Sequence, residues 1–268
     1  VYIGHVLRGD LGISWQSTRP VLDDLLERFP ATLELVTLGL ALALVIGVPL
    51  GIASASERGG PVRRAGDLYG LLAGAIPDFW LALVMIYLFY SVLGIAPPPL
   101  GRMDIALSNP PFVTGSMIVD SLLAGDWEAL HSVISHLVLP VVTLGLINAG
   151  PILKVTQSTM LRVQASDFIR YAETCGLPRK VVRRQAIRAS LPSIVTIVSV
   201  LYGFLIGGAV LVEIVFSWGG AGQYAVQAVL NADINPVLGF VVFSAVFSLV
   251  VYLLVDLAYF MLDPRTRG

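Results

Sequence analysis

Charge, cysteine and histidine are all scarce in this 268-residue chain: 13% of residues are charged, three are His and one is Cys. The lone Cys175 has no internal disulfide partner, and no Cys and His group has zinc-ligand spacing, so neither staple nor structural metal is expected to hold the fold. Seventeen Lys and Arg against eighteen Asp and Glu give a net charge of −1, which leaves no global basic surface of the kind nucleic-acid binding needs. There is no G-x-x-x-x-G-K-[ST] phosphate loop, so ATP chemistry would have to belong to another chain. No fixed-period repeat, low-complexity run or insertion of soluble-domain size is present. No basic stretch leading into an apolar core opens the chain, so no signal peptide is legible, and the start at Val1 carries the expectation that a segment upstream is missing.

Long apolar runs are what the sequence has instead. With 56% hydrophobic residues and a mean hydropathy of +0.82, it falls outside the soluble range. A bilayer core about 30 Å thick needs about 20 apolar residues of helix. Five segments meet that length: Thr32 to Ala53, Leu68 to Leu93, Leu137 to Ser158, Ser193 to Phe216 and Leu238 to Leu262. Backbone groups in lipid must bond internally, so each is read as helix despite its Val and Ile. The expected fold is an all-α integral membrane protein with five transmembrane helices.

Orientation follows the basic residues. Arg58, Arg63, Arg64, Arg162, Arg170, Arg179, Lys180, Arg183, Arg184, Arg188, Arg265 and Arg267 lie in one set of connections; only Arg8, Arg19, Arg28 and Arg102 lie in the other. The first set is read as cytoplasmic, with the C-terminus. Lys154 falls within a span near that side, where its stem can snorkel outward. The domain reading is an external N-terminal segment over 1–31, a transmembrane domain over 32–262 and a cytoplasmic tail over 263–268. An external segment over 94–136 opens with Pro97, Pro98 and Pro99. It closes on a helix that Asp126 can cap, with Trp127, Leu130, Ile134 and Leu137 on one face, read as lying on the outer membrane surface.

The cytoplasmic loop over 159–192 is too polar for lipid and too helix-prone for a loose linker. Ser166 or Asp167 can cap a helix holding Phe168, Ile169, Ala172 and Cys175 at helical spacing. Gly176 offers the left-handed position that ends a helix, and Pro178 suits the first turn of the next. A short helix held by a glycine turn fits docking into a partner's groove. The plainer reading is a solvated basic loop that only obeys the orientation rule.

Arg170-Tyr171-Ala172-Glu173-Thr174-Cys175-Gly176-Leu177, with Ala186-Ile187-Arg188-Ala189-Ser190-Leu191-Pro192 behind it, resembles the coupling loop of ABC importer permeases of the dipeptide, oligopeptide and nickel class. Arg8-Gly9-Asp10-Leu11-Gly12, Arg19-Pro20-Val21, Pro30-Ala31-Thr32-Leu33-Glu34, Ile76-Pro77-Asp78-Phe79-Trp80, Glu213-Ile214-Val215-Phe216-Ser217-Trp218, Leu254-Val255-Asp256 and Asp263-Pro264-Arg265 match in the same order. Glu173, Thr174 and Cys175 depart from the small and basic residues usual before that glycine, and the stretch to Pro192 is slightly short. The resemblance implies a type I importer permease fold with six spans, the first missing here. It implies a pore-forming, non-catalytic subunit that translocates a peptide-like solute delivered by an external binding protein. Partners would be a second permease, a paralogue, and two cytoplasmic ATPases that hold the ATP and Mg; nucleic acid is not expected. Asp167, Phe168, Arg170, Tyr171, Ala172, Glu173, Gly176 and Leu177 would couple to the ATPase.

Asp78, Phe79 and Glu213 are candidates for pathway or gate. Asp78 sits roughly midway through its span beside the helix-breaking Pro77, where it either lines the path or caps the half-helix after the break. Glu213 is either a structural or gating group, as the resemblance implies, or an interfacial carboxylate. Gly47, Gly51, Gly203, Gly207 and Gly208 are read as points of close helix approach. Trp80, Trp127 and Trp218 are read as packing or interfacial anchors, Cys175 as a packing residue, and His131 and His136 as ordinary interfacial histidines rather than a nickel site. Lys154 and Asp256 are a possible pair. An ion-gradient-driven transporter or channel is the alternative function, and a scaffold with no transport path is a further rival.

Overall fold

The computed structural model describes residues 4, 8–56 and 60–262, without the side chains of 56, 256 and 258–262. Arg58, Arg265, Arg267, the 263–268 tail and the side chain of Asp256 therefore lie outside the described residues. The described chain is helical: α1 Val21–Ser56, α2 Pro61–Ala75, α3 Asp78–Met85 with a π-helical stretch Ile86–Val92, α4 Met117–Ala124, α5 Trp127–Gln164, α6 Asp167–Thr174, α7 Arg179–Gly208, α8 Val210–Val215, α9 Ala221–Leu230 and α10 Ile234–Leu262. No named strand occurs among the described residues, and the one isolated β-bridge joins Ile13 and Pro20.

Among the described residues four helices are long and apolar enough to cross a membrane, and the pair α2 and α3 with its π extension makes a fifth if it counts as one span. That pair corrects the expectation of one continuous helix from Leu68 to Leu93, because the chain bends by 101° at Ile76 and Pro77. Pro77 lacks the N–H that would continue the ladder and its ring clashes with the preceding turn. A second correction concerns Trp127, Leu130, Ile134 and Leu137. They belong to the first turns of α5, a single helix of 38 residues, and not to a separate surface helix. Asp126 does cap it, accepting from the Ala129 amide at 2.9 Å. Likewise α1 begins at Val21, well before Thr32, with Asp23 and Asp24 in its first turn, where the helix dipole favours carboxylates.

The described residues fall into two compact units. Unit one comprises Val1–Leu38, Asp78–Leu144 and Phe204–Val250, and unit two comprises Gly39–Pro77, Gly145–Gly203 and Val251–Gly268. In unit two, α1 and α5 meet through glycine. A Cβ on Gly47 would stand 2.7 Å from the Ala149 carbonyl oxygen, and one on Gly51 2.6 Å from the Thr156 Cβ. These are the close approaches expected of small residues in spans. Gly203 faces the Tyr252 hydroxyl in the same way, whereas among the described residues Gly207 meets nothing and Gly208 only Phe204 of its own helix.

In unit one the segment before α1 is tied down by polar side chains. Ser14 donates to Asp233 at 2.7 Å, and Ser17 and Tyr224 donate to Asp24 at 2.6 and 2.9 Å. Burial and the hydrogen bond to Asp24 push the Tyr224 phenol up to about 12, so it stays a donor throughout the physiological range. Phe29 packs edge-on against Phe243 and Phe247 at 4.8 and 4.9 Å.

Candidate functional site

Two constellations stand out, one in each unit. In unit two, Asp167–Thr174 forms the short helix α6, and Gly176 takes φ +74. Its C-terminal amides close on the helix: the Gly176 N–H donates to the Glu173 carbonyl at 3.0 Å and the Leu177 N–H to the Ala172 carbonyl at 3.2 Å. Those two bonds define a Schellman cap with glycine at the left-handed position. A Cβ at Gly176 would meet no atom within 4 Å, so the backbone angle and not space demands glycine. Ser166 sits at the N-cap but its hydroxyl turns back to the Val163 carbonyl, and no side chain caps the first turn. Pro178 precedes α7, its carbonyl accepting from the Val181 and Val182 amides, and so stands at the N-cap rather than inside the first turn.

Burial splits α6 into two faces. Ile169 and Ala172 are buried in a cluster with Ala55, Met160, Val182 and Ala186, which anchors α6 on α1, α5 and α7. Asp167, Phe168, Arg170, Tyr171, Glu173, Gly176 and Leu177 are all exposed, and the ring of Tyr171 is 73% accessible. Two expectations are corrected. Ala172 seats the helix instead of offering a contact, and Cys175 is exposed, not packed beside the turn. What remains is an outward face of two aromatic rings and a leucine among charges, on a helix whose inner face is fixed.

The second constellation joins motifs that lie far apart in sequence. Glu213 on α8 is fully buried. Its carboxylate accepts from the Thr32 hydroxyl at 2.6 Å and the Gln223 amide at 2.8 Å. Thr32 in turn accepts from the Ala221 amide at 2.9 Å, and the buried Trp218 indole donates to the Ala31 carbonyl at 3.0 Å. A Cβ on Gly220 would stand 2.5 Å from a Glu213 carboxylate oxygen, so only glycine fits there. Two residues after Thr32 on α1, Glu34 pairs with Arg102 at 2.5 Å and accepts from the Ser116 hydroxyl and the Ile118 amide at 2.7 and 3.0 Å. Arg102 also lies 5.9 Å from the Trp218 ring.

This network fixes the connection before α5 to α1. Asp120 completes it locally. Burial alone would raise its carboxyl, but donors from Thr114, Val113 and Gly115 outweigh that and hold it below the usual carboxylate range. Glu34, Arg102 and Asp120 were not picked out as site residues from sequence; the isolation of Arg102 in an arginine-poor connection was the one available signal.

The remaining candidates make none of these hydrogen bonds, although α3, which Asp78 opens, packs against α8. Asp78 opens α3 and is partly buried, at the end where the dipole favours a carboxylate, and Phe79 and Trp80 beside it are exposed. His136 is buried with Nδ1 2.8 Å from the Ser132 carbonyl, His131 is exposed, and no group of metal-ligating residues occurs among the described residues.

Comparison with known proteins agrees with this architecture. Residues 47–268 match the family described as binding-protein-dependent transport system inner membrane component. The chain is 39% identical over 265 residues to the probable D,D-dipeptide transport system permease protein DdpB of Escherichia coli, covering 98% of this chain and 78% of that protein. It is 35% identical to the dipeptide transport system permease protein DppB of Escherichia coli, covering 99% and 79%, and 30% identical to the peptide transport system permease protein SapB of Salmonella typhimurium, covering 98% and 83%. A crystal structure of an amino acid ABC transporter with histidines superposes with a TM-score of 0.60 at 14% identity, covering 96% of each chain, a likeness of fold. A permease fold of the type I importer class, an inner-membrane multi-pass architecture and transport rather than ion-gradient exchange follow together. The chain belongs to the family of inner-membrane components of binding-protein-dependent transport systems, as a pore-forming subunit of an ATP-driven importer.

Proposed function

We propose that this permease carries peptide-like solutes, handed over by an external binding protein, and that α6 is the element through which cytoplasmic ATPases drive it. Support for the solute class comes from relatives named as dipeptide, D,D-dipeptide and peptide permeases. In this reading the segment 159–192 and the C-terminus are cytoplasmic, the segments 1–31 and 94–136 are external, and a second permease, a paralogue, completes the pore. ATP and Mg sit on the ATPase chains.

The observation that carries the coupling role is the two-faced build of α6. Ile169 and Ala172 lock it to the spans, while Phe168, Tyr171 and Leu177 are 48, 73 and 41% exposed. An aromatic face on a rigidly seated short helix is the form a groove-docking element takes. Closure of the ATPases would then move α6, and α1, α5 and α7 would follow through the cluster around Ile169. Glu213, Thr32 and Trp218 brace the constellation of unit one as a structural group, and Asp78 and Phe79 remain pathway candidates.

The test replaces Phe168 and Tyr171 together with Ala. Both rings are exposed, so the variant should insert and assemble with stability within about 0.5 kcal/mol of wild type. Peptide uptake and binding-protein-stimulated ATPase activity in proteoliposomes should fall at least tenfold. Full activity in that variant would refute the coupling role.

A further inference from the structure

Lys154 was expected to bend its stem outward to the basic side of the membrane, and in unit two it runs the other way. Its carbons lie across Gly70 of α2: a Cβ there would come within 2.9 Å of Cε and 3.3 Å of Cγ. Its Nζ then reaches Gly74, 3.9 Å from where a Cβ would stand. The direction along α2 is set by sequence, since Arg63 and Arg64 lie at its start and Ile76 and Pro77 follow its end. The stem thus leads from Gly70 to Gly74, away from the arginines and toward the break.

Helix geometry explains the direction. Side chains on a helix lean toward its N-terminus, and for α5, which ends near Arg162, that means away from the basic end. The polar layer at the basic end is already filled, with Gln157 donating to Asp67 at 2.9 Å and Arg63 3.8 Å from the same carboxylate. Gly74 lies seven residues past Asp67 on α2, about 10 Å of helix rise further in. Among the described residues no ion pair or hydrogen bond engages the Lys154 ammonium group, and the residue is exposed. A charge aimed at the middle of a span is retained where it faces water or a counter-charge, and backbone breaks inside membranes occur where they line a cavity or are buried in protein. The head's turn away from the arginine-bearing start of α2 argues against a lipid phosphate at that end as its partner.

We propose that Lys154 is an anion-recognising residue of the solute path, its ammonium group meeting the carboxylate of a solute as it passes the C-terminal end of α2. Gly70 is glycine so that the stem can lie flat, and Gly74 leaves the head uncovered. The proposal rests on the reading of this chain as a solute-lining permease and deepens it, naming a free carboxylate as the recognised group.

The test uses the complete importer in membrane vesicles, with Cys175→Ser removing the native thiol and Gly74→Cys placing a new one beside the ammonium group, where space allows it. Two methanethiosulfonates of similar size, an anionic ethylsulfonate and a cationic ethyltrimethylammonium, are compared by rate. With Lys154 present, the anionic-to-cationic rate ratio should exceed that of the Lys154→Gln protein by about tenfold, and Lys154→Arg should keep it. A thiol silent to both reagents, or a ratio unmoved by Lys154→Gln, overturns the proposal. Lys154→Cys, tested separately, should react with both reagents, and protection from both also overturns it. These rates need neither ATP nor a transported solute, so they decide on Lys154 whatever the solute proves to be. In uptake, Lys154→Gln should cost Ala-Ala several-fold more than its C-terminal amide; equal losses count against the proposal.

Discussion

Glu213 illustrates how one buried carboxylate can organise several motifs. It holds Thr32 and Gln223 in hydrogen bonds while Gly220 and Gly222 crowd against it. Gly220→Ala forces a methyl to within 2.5 Å of the carboxylate and should destabilise by about 1–3 kcal/mol, read as a lower melting temperature in detergent. Thr32→Val removes both the donor to Glu213 and the acceptor for Ala221, with an expected cost of about 1–3 kcal/mol on the same measurement. Asp120 gives a pH signature. Its folded pKa lies below the unfolded value near 3.9, so its contribution is complete above that value and is lost as pH falls through the folded one. Proteolytic protection of residues 97–126 should therefore weaken on acidification below about pH 4, and Asp120→Asn should weaken it already at pH 7. The short motifs around Ala31 and Trp218 were visible in the sequence. Their meeting was not, because Thr32 and Glu213 are 181 positions apart and no local spacing encodes that contact.

Among elements, α6 was the most legible. Its apolar spacing, its end at Gly176 and the second helix after it all follow from local chemistry, and local chemistry is what short helices and caps depend on. Which of its faces points inward was only half legible. Ile169 and Ala172 are buried as spaced, but Phe168 and Cys175 are exposed because the neighbouring spans cover a narrower stripe than the apolar pattern offers. Gly176→Ala should cost about 1 kcal/mol and leave α6 formed, whereas Gly176→Val, in a left-handed position hostile to β-branched residues, should fray its last turn. Hydrogen exchange of the Gly176 and Leu177 amides, which close the cap, reports the difference. The bend at Pro77 was signalled by its proline, yet hydropathy alone reads through it because both halves are apolar. The continuity of α5 through His136 and Leu137 was missed for a similar reason: a polar first turn looks like a separate surface helix until its register is seen to run on.

For the molecule as a whole, hydropathy located, among the described residues, the four helices long and apolar enough to cross a membrane, read the bent pair α2 and α3 as one helix, and missed the helix ends. The helices run past the apolar window: α5, at 38 residues, spans about 57 Å against a hydrocarbon core of about 30 Å. Apolar content defines only the part in lipid, and the projecting turns are specified by caps and by packing within each unit. The proposed sidedness can be read directly with fusions. A fluorescent protein after Gly268 should mature in the cytoplasm, and alkaline phosphatase inserted near Asn109 should be active outside; the opposite pattern would invert the topology. The exposure of Cys175 has a practical consequence. The chain has a single thiol, and it stands uncovered at the end of α6, so the native sequence accepts one maleimide dye at one address without engineering. Quenching of that dye by each candidate ATPase would make the wild-type protein its own reporter of assembly and turnover.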